Sequence, residues 1–303
     1  MTISQYANHW AQNIFIKKLV SSATKDTILS HVRKICTLFG KMDLDNLTTS
    51  KIETEFEELA QTLQPKTIKS VYGTLRLILQ RAQKEGLIIS LPNPQLPRIR
   101  SAPQPWYTGE EMASVIRNSP EKYKALCHLL SETGMRIGEA LALTKNQINW
   151  QDLTLNINQS AYRGQVGLPK TDSSYRVICI SNYLSNILKN QSNNLSSGLE
   201  WIFVNRNTHL IIPHHAAKEI TKSISQIGLT WRGWHAFRRG NKTLLRQLGV
   251  PVPIRMYRFG HSAKENGIGS IYDQTIGLTS LERQEERRWI EKVAEVLNGK
   301  QKS

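Results

Sequence analysis

Pro92, Pro94, Pro97, Pro103 and Pro105 crowd into one short stretch that also carries Arg98 and Arg100. Each pyrrolidine ring fixes its own φ, removes a backbone donor and disfavours helix in the residue before it. A stretch this rich in proline can enter neither a helix interior nor the middle of a sheet, so the chain must divide around it. The expected organisation is a helical domain over residues 1–90, a stiff basic linker over 91–107 and a larger domain over 108–303. With 303 residues in all, each side has enough chain to bury its own core.

The periodicity differs on the two sides. Before the prolines, Ile28, Val32, Ile35, Leu38 and Phe39 recur at helical spacing, and Ile52, Phe56 and Leu59 do so behind Thr49 and Ser50 as caps. Pro65 opens a long helix with Ile68, Val71, Leu75, Leu79 and Ala82 on one face, and Gly86 is placed to stop it. Beyond the linker, Thr108 and Glu111 form a capping box, a second helix runs from Pro120 to Gly134, and a short one follows Arg136. Between residues 153 and 180 the period changes to two, with Gly164, Gly167 and residues 171–174 supplying turns, and Trp201–Val204 offers a further strand. Residues 213–298 return to helix. The fold class expected is mainly α with a small antiparallel β-sheet.

Composition narrows the partner. The formal charge of +16, spread over both sides of the linker, costs self-repulsion unless a polyanion meets it, and nucleic acid is the obvious one. On the long helix, Lys66, Lys69, Arg76 and Arg81 either lie along phosphates or are simply solvated; the linker's Arg98 and Arg100 suit a DNA backbone. A hydrophobic share of 39% excludes a disordered chain. Cys36, Cys127 and Cys179 have no paired spacing, which argues against a disulfide framework and for a reducing compartment. With no leader-like start and no long apolar run, a soluble cytoplasmic protein with no membrane partner is expected.

The residues able to do chemistry are scattered. His235 and Arg238 lie three apart at the start of a helix, on one face, and a guanidinium fork suits a phosphate's non-bridging oxygens. Arg136 follows a glycine turn, with Glu139 one turn on to orient it. Lys170 in a turn can protonate a leaving oxygen, and Gly260 and His261 precede Tyr272, a phenol that could attack phosphorus if a base and nearby cations favour the phenolate. Each alone is at least as readable as an ordinary solvated or packed side chain. Tyr257 falls inside the apolar run Ile254–Phe259 and reads as core. No phosphate loop or dinucleotide fingerprint occurs, His214 and His215 lack ligand partners, and no paired acids suggest a two-metal nuclease, so neither metal nor cofactor is expected.

Taken together these segments resemble the tyrosine recombinases, the phage-integrase family. ETGMRIGEALAL, residues 132–143, is similar to its first arginine box and LPKTDSSYRVICI to its lysine hairpin. WHAFRRGNKTLLRQLGV is similar to the second box, and RFGHS with IYDQ to the segment holding the last histidine and the tyrosine. The first 100 residues resemble the helical core-binding domain, which makes residues 108–303 an α+β catalytic domain.

The resemblance implies that Arg136 and Arg238 clamp the scissile phosphate, Glu139 buttresses Arg136, Lys170 protonates the departing 5′ oxygen, His235 and His261 assist proton transfer, and Tyr272 forms a 3′ phosphotyrosyl link. It implies double-stranded DNA with a specific recombination site as partner, four protomers in the synaptic complex, and room for a directionality factor. An integrase of a phage or other mobile element is the first expectation. A chromosome-dimer resolving recombinase, a non-catalytic DNA-binding relative and a type IB topoisomerase are the alternatives. Two features depart from the family: Arg239, Gly240 and Asn241 follow the second arginine, and Tyr272 lies eleven residues beyond His261, across Gly267 and Gly269. The stretch Leu281–Leu297 could pack on a neighbouring protomer or close its own domain.

Overall fold

The computed structural model describes residues 1–18, 20–96, 98, 103–169, 174–195, 198–260 and 277–299. The chain forms two compact units, Met1–Pro103 and Gln104–Ser303.

In the first unit, a capping box between Thr2 and Gln5 starts α1 (Ile3–His9), which runs on into a π-helical turn at Trp10–Phe15. Helices α2 (Ser22–Phe39), α3 (Thr49–Ala60) and α4 (Pro65–Lys84) follow. The cap of α3 is Thr48, whose hydroxyl accepts from the Lys51 N–H at 3.3 Å, so Thr49 and Ser50 already lie inside the helix. Val32, Ile35 and Phe39 of α2 and Ile68, Val71, Leu75 and Ile78 of α4 are buried in one core. That leaves the opposite face of α4 to water, and Lys66, Lys69, Arg76 and Arg81 are all exposed on it. Arg81 pairs with Glu85 at 2.6 Å. The helix ends before Gly86, whose φ of +73° suits only glycine well.

The proline stretch is shared between the two units rather than hanging free. Pro92 accepts from the Tyr72 hydroxyl at 3.1 Å, and the Gln95 N–H donates to Glu53 at 2.7 Å, within the first unit. Pro105 and Trp106 accept from Arg239 and Arg232 within the second. Arg98 is exposed, and Arg100 lies outside the described residues.

The second unit begins with α5 (Gly109–Asn118), held by the expected Thr108–Glu111 capping box, then α6 (Glu121–Thr133) and α7 (Ile137–Leu141). Strands β1 (Ile148–Asn149), β2 (Thr154–Ile157) and β5 (Arg176–Cys179) form an antiparallel sheet in the order β1-β2-β5, with Leu155 opposite Ile178. Strands β3 (Ser160–Tyr162) and β4 (Gln165–Gly167) make a separate hairpin turning at Arg163 and Gly164. Gly167 thus ends a strand instead of making a turn. The rest is helical: α8 (Asn182–Asn193), α9 (Pro213–Ser225), α10 (Trp234–Gln247), α11 (Val252–Phe259) and α12 (Ser280–Leu297).

Helix α6 is the axis of this unit, buried continuously from Ala125 to Thr133 and packed against α5, α8, α10 and α12. Trp201–Val204 adds no strand to either sheet; it makes single bridges, Thr144 with Trp201 and Val204 with Leu210. Helix α12 lays Ile290, Val293 and Leu297 into the core of its own unit. The second half of its apolar face is therefore covered within its own unit, while Leu281 stays exposed. No described helix is long and apolar enough to cross a membrane.

Candidate active site

Three chain segments meet at Arg238. Helix α10, which carries it, is set by an aromatic cluster in which Trp231, Trp234 and Phe237 pack together, with Tyr107 against Phe237. Glycine and asparagine disfavour helix interiors, yet α10 runs unbroken through Gly240 and Asn241, and the packing shows why. A Cβ on Gly240 would sit 2.3 Å from the Tyr107 carbonyl oxygen, so only glycine allows α10 to lie this close to the chain entering α5. Asn241 donates to the carbonyls of Ser131 and Glu132 at 2.8 and 2.9 Å, taking up groups that the last turn of α6 leaves without helical partners. The departure from the family pattern therefore seats α10 against the entry to α5 through Gly240 and fastens it to α6 through Asn241.

The Arg238 guanidinium is buried and donates from Nη1 to the Gly134 carbonyl at 2.9 Å and from Nη2 to the Phe259 carbonyl, with the Phe259 ring beneath it at 5.0 Å. Gly134 closes α6 with φ +63°, and a side chain there would strike Phe259 and Asn241. Two residues later Arg136 begins α7. Its Nη1 donates to Glu139 at 2.8 Å and to the Ser174 hydroxyl at 3.4 Å, and its side chain remains 31% exposed, enough to meet a ligand.

Glu139 is almost wholly buried. Burial by itself would raise its pKa, but the charge and hydrogen bonds of Arg176, followed by those of Arg136, overturn this and hold the carboxyl down at about 2. Arg176 meets it at 2.9 Å. His235 lies at the surface on the same face of α10 as Arg238. The protein around it, then the positive charges of Arg239, Arg238 and Arg136, push its pKa below the ordinary histidine value, so the imidazole is neutral near pH 7.

Of the expected site residues, the structure brings Arg136, Glu139, His235 and Arg238 together. Lys170, His261 and Tyr272 lie outside the described residues. Tyr257, expected in the core, is half-buried, and its hydroxyl accepts from the Val177 N–H at 3.2 Å. Tyr107 is buried and its phenol is pushed up to about 12 by that burial.

Sequence reasoning missed two buried arginines. Arg176 stands on β5 two residues before buried Ile178, and Arg258 on α11 four after buried Ile254. An arginine at an inward position of a strand or helix is the signal that would have found both. Arg258 pairs with Glu286 of α12 and donates to the Cys179 carbonyl at 2.9 Å, tying α12 to the sheet.

Residues 106–274 match the model of the phage integrase family. The chain belongs to that family. The activity of this integrase is accordingly site-specific DNA recombination. It is 22% identical over 276 residues to the integrase of Mycobacterium phage D29, an alignment covering 86% of this chain and 72% of the relative. Its fold is similar to that of the Tn1549 transposon integrase in complex with a circular intermediate DNA, with a TM-score of 0.75, 18% identity, and 94% and 98% of the two chains covered. It is also similar to lambda integrase, in the structure of a tetramer bound to a Holliday junction, with a TM-score of 0.70, 15% identity, and 90% and 80% covered.

Proposed function

We propose that this integrase cuts and rejoins DNA at a specific site through Tyr272, serving the integration or excision of a phage or other mobile element. The observation that carries the reading is the placement of Arg238 between the Gly134 turn that leads to Arg136 and the end of α11 that leads to His261. Two guanidinium groups held this way would grip the non-bridging oxygens of one phosphate and stabilise the extra negative charge of a pentacoordinate transition state. The Tyr272 oxygen then forms a bond to phosphorus as the bond to the 5′ oxygen breaks. The phenolic proton passes toward His235 or His261, and the leaving oxygen takes a proton from Lys170. A 5′ hydroxyl from the partner strand reverses these steps and frees the tyrosine. The phosphodiester bond energy is kept in the protein link, so neither ATP nor a metal ion is required.

The first unit would act as the core-binding domain, with Lys66, Lys69, Arg76 and Arg81 along phosphates and Arg98 and Arg100 following the backbone between the domains. Assembly as a tetramer on two duplexes, a directionality factor and a cytoplasmic location belong to the same proposal. A nicked duplex that loses its short 5′ fragment on cleavage tests it. Wild type should accumulate a covalent protein–DNA adduct, and Tyr272→Phe should bind the same duplex without forming one. Site-specific binding by wild type with no adduct would turn the reading to a non-catalytic DNA-binding protein. Relaxation of plasmids regardless of sequence would turn it to a topoisomerase.

A further inference from the structure

The geometry points to Arg176 as the positioning residue of this active site, one buried guanidinium that, through Glu139, Ser174 and the end of α11, sets the placement of Arg136 and Arg238. Its side chain is 1% exposed, so it meets no substrate. What it meets is three other segments. Nη2 donates to Glu139 Oε2 at 2.9 Å and Nη1 reaches Oε1 at 3.4 Å, fixing the carboxylate that in turn holds Arg136. Nη1 also donates to the Ser174 carbonyl at 2.8 Å, and the Ser174 hydroxyl receives Arg136. Nε donates to the Arg258 carbonyl at 2.7 Å, next to Phe259, whose own carbonyl receives Arg238.

Only the planar fork of arginine can point donors along these three directions at once; a lysine ammonium is a single point charge on a flexible stem. A charge buried this deeply is costly unless it is paired, and hydrophobic residues would fill the same volume at no such cost. Glu139 satisfies the charge, and the same carboxylate aims the exposed Arg136 at the phosphate. Arg176 would thereby act on rate through geometry, since small misplacements of catalytic groups carry large penalties.

This inference rests on the recombinase reading above, and the test separates the two. Adduct formation on the nicked duplex would be timed at saturating DNA for wild type, Arg176→Lys, Arg176→Gln, Glu139→Gln and Arg176→Lys with Glu139→Gln, each with its melting curve and DNA affinity. Wild type without adduct would fail the recombinase reading itself. The expected result is that Arg176→Lys melts cooperatively, binds DNA like wild type and forms adduct about 100-fold more slowly. Adding Glu139→Gln should then slow it little further, because the two residues act as one unit. In Arg176→Gln the loss should deepen as pH falls toward 5, since the Glu139 carboxyl, left with Arg136 alone, loses the larger of the two influences that keep it ionised. Adduct formation at the wild-type rate, fully additive losses, an unchanged pH profile, or loss of cooperative folding in both Arg176 variants would each overturn the proposal, the last by making Arg176 a pin of the fold alone.

Discussion

Arg238 donates to the carbonyl of Gly134 at 2.9 Å, and through that bond the second arginine motif is fastened to the turn that starts the first. The two guanidinium groups are separated by about a third of the chain in sequence, yet their relative position depends on how closely α10 approaches α6. Asn241 fixes that approach by bonding to the end of α6, while Gly240, having no side chain, lets α10 close on the Tyr107 carbonyl at the entry to α5.

Gly240→Ala should therefore disturb catalysis from behind the site. The new Cβ would lie 2.3 Å from a backbone carbonyl that cannot swing away, so α10 must move. We expect a stability loss of about 2 kcal/mol, the usual cost of overpacking, read by denaturant unfolding, together with slower adduct formation. A matching substitution at Gly73, where a Cβ meets nothing within 4 Å, should leave the adduct rate unchanged.

The pH dependence of cleavage should carry the mark of His235. Its pKa is lowered in the folded protein, so the neutral imidazole persists below the ordinary value of 6.5 before it takes a proton. Folding thus favours the neutral form, and the stability this residue contributes is complete above 6.5 and declines as pH falls below it. Titration by NMR should give a midpoint under 6.5, and the acid limb of the adduct rate should sit at that midpoint and vanish in His235→Gln. A midpoint above the ordinary value would contradict the electrostatics described.

How far the site could be foreseen depended on whether a residue's chemistry shows in its neighbours. The Thr108–Glu111 box, the helix ending at Gly134 and the alternation of Leu155 and Ile157 are local patterns, and each formed as expected. Arg136, Glu139, His235 and Arg238 were legible because motif order singled them out. Arg176 and Arg258 were not, because a buried arginine has the same letter as an exposed one, and only the inward register of its strand or helix betrays it. Trp201–Val204 has a strand's composition but finds only single bridges, a tertiary outcome that local propensity does not determine.

Glu139→Gln should cost both stability and rate. Removing the carboxylate leaves Arg176 buried without its counter-charge, and we expect a loss of about 3 kcal/mol in denaturant unfolding, within the usual cost of breaking a buried pair. Because the Glu139 pKa is depressed from 4.5 to about 2, its contribution to wild-type stability is present above 4.5 and is lost as pH falls through that interval. The difference in unfolding free energy between wild type and Glu139→Gln should accordingly narrow between those two values.

The proposed mechanism turns on Tyr272 as the nucleophile. The most direct test is to trap the adduct on a nicked duplex, digest it with nuclease and trypsin, and locate the modified tyrosine by peptide mass. Cleavage after Lys264 and Arg283 places Tyr272 in one peptide, and cleavage after Arg255 and Arg258 places Tyr257 in another. A nucleotide remnant is expected on the peptide containing Tyr272. A remnant on the Tyr257 peptide, or on any other tyrosine, would contradict it.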